Sequence, residues 1–154
     1  AAARNAPPSA RGPLANRVHA QVAMVPTKIF HVLSDFSNNN TFKTDTAVLK
    51  YTGSHIAIYQ SQNAPAPPNG FTDAEIAAFG NTFDQDLYEI DVQTFGSATD
   101  IDNNGHVIVL MSPIINHLTT ANTCNTQGFI AGFFDAIDLL PITQYPNSNT
   151  GEIF

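Results

Sequence analysis

Thr72 and Glu75 stand at the spacing of a capping box at the head of FTDAEIAAFGNTFDQDLYEIDVQTFG, and no other stretch constrains the fold as strongly. In that arrangement each side chain accepts from the other residue's orphan backbone N–H, which fixes where a helix starts. Asp73 beside them suits the positive end of the helix dipole. Ile76, Phe79, Phe83, Leu87 and Ile90 then recur at helical spacing, and Gly96 supplies the stop. The pattern predicts one long amphipathic helix with an aromatic core face, its phenylalanines packing rather than lining a cofactor box. Gly80 costs about 1 kcal/mol against Ala in a helix, which points to a close contact there.

The flanking segments read as sheet. TAVLKYTGSHIAIYQ is a hairpin whose arms part near Thr52, Gly53 and Ser54, and SQNAPAPPNG is a stiff connector. Upstream, RVHAQVAMVP alternates, with Val18, Ala20, Val22 and Met24 on one face and Pro26 as its limit. SDFSNNNTFKTD reads as loop. Residues 1–16 are rich in Ala, Pro and Arg without periodicity, an arm that is flexible or lies on a partner. The start without Met suggests a processed N-terminus. The expected organisation is this arm followed by a single subdomain, 17–154.

After the helix, TDIDNNGHVIVLMS looks like half a calcium loop running into a strand. Asp100, Asp102 and Asn104 hold positions one, three and five, and Gly105 the turn position. The acid expected at position twelve is Met111, which cannot ligate calcium, so an EF-hand is excluded. The preferred reading is an Asx-rich turn whose side chains bond their own backbone. Calcium held by these three residues, with oxygens supplied from elsewhere, is the alternative.

HVIVLMSP is continuously apolar, as a strand covered on both faces would be. In GFIAGFFDAIDLLP a second strand is expected over Gly128, Phe129, Ile130, Ala131, Gly132, Phe133 and Phe134, with Gly132 marking a bulge or a close backbone approach. The closing NSNTGEIF reads as the start of another strand, and the subdomain is expected to be incomplete at its C-terminus.

Composition narrows the function. Hydrophobic residues make up 43% of the 154, so the chain is globular. Charged residues are only 12%, about half the usual share, and partner-covered surfaces need fewer of them. Six Lys and Arg against thirteen Asp and Glu give a net charge of −7, which leaves no basic stripe for nucleic acid. No run approaches the roughly 20 apolar residues of a membrane span. Cys124, the only cysteine, reads as an inert small residue; a free thiol or the partner of a cysteine outside this sequence are its alternatives.

The ordered motifs GFTDAEIAAF, DIDNNGHVIVLMSPIIN, GFIAGFFDAIDLLP and SNTGEIF resemble the region that precedes the active site in bacterial secreted zinc metallopeptidases of the hyicolysin type. The resemblance covers roughly residues 45–154. It implies a zincin-like α/β (α+β) fold, a twisted mixed sheet with the Thr72 helix packed across it. It also implies that the segment from Gly128 to Phe134 is an edge strand that aligns an extended peptide by main-chain pairing. In that family the strand matching GEIF leads towards a helix bearing His-Glu-x-x-His.

That motif is absent from this sequence. A zinc peptidase needs two imidazoles one helical turn apart and a carboxylate to activate water. His19, His31, His55, His106 and His117 include no such pair, and each reads as a surface or hydrogen-bonded histidine. Asp135 and Asp138 straddle an apolar run with nothing to couple them to a nucleophile. No Ser stands in a Gly-x-Ser-x-Gly turn. The expected function is therefore a non-catalytic fragment or subunit derived from a secreted metallopeptidase, inactive alone, with zinc only in a full-length relative. The alternative is a structural or interaction subunit of a larger extracytoplasmic, periplasmic complex. Either way the expected partner is other polypeptide, its own continuation or the subunits of a complex. A peptide- or glycan-binding domain has only the edge strand behind it.

Overall fold

The computed structural model describes residues 24–36 and 40–154. The N-terminal arm, and most of the strand expected at 17–26, lie outside the described residues.

Four strands form one mixed sheet in sequence order: β1 (Thr27–Asp35), β2 (Thr41–Thr52), β3 (Ile56–Ser61) and β4 (Val107–Met111). The first three pair antiparallel, and β2 and β3 are the expected hairpin, parting at Gly53. β4 pairs parallel to β3, a geometry that requires a long crossover, and the long helix lies within it. The class is α+β, as expected.

Upstream, one strand stands where the sequence carried no expectation, and one expectation is corrected. TKIFHVLSD is a strand, with Phe30 fully buried and Val32 and Leu33 nearly so. Of the loop expected over SDFSNNNTFKTD, the first two residues belong to β1, which runs to Asp35, and the last five to β2, which begins at Thr41; residues 37–39 lie outside the described residues. Thr41, Lys43 and Thr44 face solvent, where Thr fits a pleated surface well, whereas Asp45 is buried.

The helix begins where the capping box predicts. The Glu75 N–H donates to Thr72 Oγ1 at 3.2 Å, and the Thr72 N–H donates to Glu75 Oε2 at 2.8 Å. The Thr72 N–H and the Thr72 hydroxyl, both donating to Oε2, hold the Glu75 carboxyl below its usual range. The helix is not uniform: α1 (Asp73–Thr82) passes through one π-helical turn, Phe83–Leu87, into α2 (Tyr88–Phe95), and Gly96 ends it at φ +89°.

Only its first part docks closely. Ile76 is fully buried against Ile56 and Ile58, and a Cβ at Gly80 would overlap the Tyr51 ring. The close contact expected at Gly80 is therefore present. The Tyr51 hydroxyl donates to Asn81 Oδ1 at 2.8 Å. Asp84, inside the π turn, accepts from the Ser54 and His55 N–H groups at 2.6 and 2.9 Å. That locks the helix to the hairpin turn.

The continuous core face does not form. Phe79, Leu87 and Ile90 are 46%, 47% and 60% exposed, and Phe83 is half-buried. Phe79 lies edge-on to Phe71 on the outside of α1. The π turn then shifts the phase of the residues that follow it, and no residue of α2 is buried.

The other sheet face carries the larger core: Phe30, Val32, Ala47, Ala57, Tyr59, Ile108 and Ile153, covered partly by Ile114 and Ile115 of a 3₁₀ turn at Pro113–Leu118. The last residues extend the sheet, as GEIF predicted. Ile108 N–H donates to Glu152 O at 2.8 Å, and Phe154 N–H to Ile108 O at 2.9 Å, a parallel pairing on the outer side of β4.

The strand expected from Gly128 to Phe134 is a second correction. These residues follow a short helix, α3 (Ala121–Gln127), and join no ladder. Gly132 meets open space instead of a close backbone. The edge position beside β4 is taken by 152–154. At the opposite edge, Asn149 accepts from the His31 N–H at 2.7 Å and donates to the His31 carbonyl at 2.9 Å, standing in for a strand residue. The C-terminal segment thus touches both β1 and β4, which lie at opposite ends of the strand order.

Candidate functional site

Two features combine chemistry with shape. The first is built on the loop between α2 and β4. Asp102 accepts from the Asn104 N–H at 3.3 Å and from the Asn104 side-chain amide at 2.6 Å. Asn104, 4% exposed, accepts in turn from the His106 N–H at 2.6 Å. Asp100 accepts from the Gly105 N–H at 3.1 Å. Positive φ at Asn103 and Gly105 folds the loop tightly. The Asx-rich turn is therefore formed, and Asn104 acts within it as a brace for Asp102.

The structure adds a residue that sequence reasoning missed. Glu152, from the terminal segment paired with β4, brings its carboxylate to Asp100 and Asp102. One oxygen from each of the three lies within 4.8 Å of the others. Burial raises the Asp102 carboxyl above its usual range; the Asn104 donors and Lys28 oppose this, and Glu152 adds to it. Roughly fifty residues separate the loop from Glu152, and no spacing rule in a single sequence couples them.

The second feature is a groove of about 740 Å³ beside the C-terminal segment. Its walls include β1 at His31, Val32 and Leu33, the end of β4 at Leu110 and Met111, and Phe133, Phe134 and Phe154. Four residues of the expected edge strand, Ala131, Gly132, Phe133 and Phe134, thus border a groove although they form no strand. Gly128, Phe129 and Ile130 lie outside it, and Phe129 is 73% exposed. Asp138 also faces the groove. It is 5% exposed, and burial pushes its carboxyl up to about 6 despite donors from Asn149 at 2.7 and 2.9 Å. Asp135 caps the next turn by accepting from the Ile137 N–H.

The histidines do not converge on a metal set. His31 belongs to β1, and His55 stacks on Tyr88 with ring centroids 3.7 Å apart. The His106 ring nitrogens lie 2.6 Å from Asn104 O and 3.1 Å from Gly53 O. His117 is exposed in the 3₁₀ turn, and His19 lies outside the described residues. Among the described residues, no histidine joins a group of three side chains able to hold a metal. The acidic triangle has only carboxylate oxygens, a donor set that does not fit zinc with its preference for imidazole and thiolate. Cys124 is a free, half-buried thiol within α3.

Comparison with known proteins supplies the kinship. Over 151 residues the chain is 26% identical to neutral metalloprotease ShpI of Staphylococcus hyicus. This is a metalloprotease-related region. The match takes in 96% of this chain and 31% of the relative, so the chain spans about a third of that protein's length. No family model matches the sequence. Among the described residues, no helix is long and apolar enough to cross a membrane.

Proposed function

We propose that this chain is a non-catalytic, zincin-like region of a hyicolysin-type secreted zinc metallopeptidase, serving as the platform on which the zinc-bearing part of such a protein is built. The observation behind this reading is the span of the match: nearly all of this chain aligns, to under a third of a metalloprotease. The sequence carries no His-Glu-x-x-His, and the only metal-capable cluster among the described residues is all-oxygen. On this reading the groove bordered by Ala131 to Phe134, and the apolar outer face of α2, lie against the remaining polypeptide. The setting is extracytoplasmic.

The expected behaviour is concrete. The purified 154-residue chain should bind no stoichiometric zinc and cleave no peptide. Chelator-sensitive proteolysis by a homogeneous preparation would overturn the proposal.

A second reading, a structural subunit of a larger extracytoplasmic complex, draws on the 12% charge content and the exposed Phe71, Ile90 and Phe95. Light scattering on material from the native source separates the two. A single polypeptide of roughly three times this length fits the first, and a 16.6 kDa chain held among different subunits fits the second.

A further inference from the structure

The acidic triangle has a property that exposed clusters of carboxylates lack. Glu152 is only 5% exposed, and its two oxygens are treated differently. Oε1 accepts from the Thr99 hydroxyl at 2.5 Å and from the Ile101 N–H at 3.1 Å, which fixes the carboxylate in place. Oε2 is buried and has no donor. The other buried acids differ: Asp45 accepts from Ser61 and Ser112 on separate oxygens, and Asp138, whose two donors from Asn149 share Oδ1, has no oxygen that is both fully buried and unpartnered. Among the described residues, Glu152 alone buries a carboxylate oxygen with nothing to bind it.

Two unfavourable terms therefore meet at one place. A buried acceptor without a donor carries its full desolvation penalty. Three carboxylates within 4.8 Å of one another repel as well. No basic side chain is in direct ion-pair contact with them, since the ion pairs among the described residues join Lys50 to Asp73 and His55 to Asp84, and Lys28 favours the Asp102 charge only from a distance. A cation held among the three carboxylates and bound by Oε2 would relieve both at once.

We propose that Asp100, Asp102 and Glu152 form a calcium site that ties the loop after α2 to the terminal segment paired with β4. The donors are hard oxygens without nitrogen or sulfur, which selects calcium or magnesium over transition metals. Size favours calcium. Atoms within 4.8 Å of one another all lie within about 2.8 Å of a common point, near the roughly 2.3–2.6 Å that calcium takes to oxygen. Magnesium, at about 2.0–2.1 Å and near-octahedral, would need a larger contraction. Glu152 thus supplies the acid that Met111 cannot. Gly151 keeps the approach open, since a Cβ there would sit 3.1 Å from Asp102 Oδ2.

The test uses the 154-residue chain stripped with chelator, then titrated calorimetrically with calcium chloride and melted with and without the ion. One calcium per chain is expected. A midpoint rise of about 5–10 °C is expected at calcium a hundredfold above Kd, with a weaker response to magnesium. Asp100→Asn, at an exposed position, should fold normally and lose most of the rise. Glu152→Gln should lose it too, yet melt no lower than the wild type in chelator, because its amide puts a donor where Oε2 had none. Absence of calcium binding by the wild type would overturn the proposal, as would an undiminished rise in both variants. A Glu152→Gln chain less stable than the wild type in chelator would contradict the orphaned-oxygen argument.

Discussion

The two halves of the long helix share a composition but not a fate. Before the π turn, α1 is capped, buries Ile76 completely and presses Gly80 against Tyr51. Beyond it, α2 buries nothing: Ile90 is 60% exposed and Phe95 84%. Tyr88, stacked on His55, and Asp84, bonded to the hairpin turn, are its nearest anchors. Apolar periodicity alone therefore does not say that a face is covered. It says that the face is suited to being covered, and α1 has the β2–β3 hairpin to meet it while α2 has no strand beneath it. A π turn at the boundary, held by Asp84, is where the docked half gives way to the undocked one.

Substitutions on either side should expose the difference. The largest effect is expected at Ile76→Ala, about 3 kcal/mol of unfolding free energy, since a fully buried side chain leaves a cavity. A loss under about 1 kcal/mol in denaturant titration would mean that α1 is no better anchored than α2. Gly80→Ala should come next. The added methyl collides with the Tyr51 ring at a cost of about 1–3 kcal/mol, offset by about 1 kcal/mol of helix propensity. A net gain in stability would show that the helix sits further from the hairpin. Phe95→Ser should change the stability of the isolated chain by no more than about 0.5 kcal/mol. A larger loss would place Phe95 in a core and erase the contrast.

Much of the fold was legible because local rules settled it. Thr72 and Glu75 name the first turn, Gly96 the last, and Gly53 the hairpin bend. Apolar runs marked β4 and the terminal strand. The errors came where neighbours decide. TFKTD looked like loop because its composition is polar, yet a strand with one face open to solvent tolerates threonine. Phe129, Ile130, Phe133 and Phe134 looked like strand because they are apolar, yet residues 152–154 hold the place beside β4. Phe83 read as core, but it sits at the π turn and is only half-buried. In the acidic site, Asp100 and Asp102 were visible through their spacing. Glu152 was not, because only tertiary pairing brings residue 152 to residue 102, and the same holds for Asn149 at the edge of β1.

On the proposed function, the undocked half of the helix is a surface made for other polypeptide. Amide hydrogen exchange tests it most directly, comparing this chain alone with the same region in the protein isolated from its native source. Amides of α1 should be well protected in both, anchored by Ile76 and the capping box. Amides of α2 should exchange quickly in the chain alone and at least tenfold more slowly in the native material, where the Ile90 and Phe95 face is covered. Equal exchange of α2 in the two samples would show that no other polypeptide covers this face.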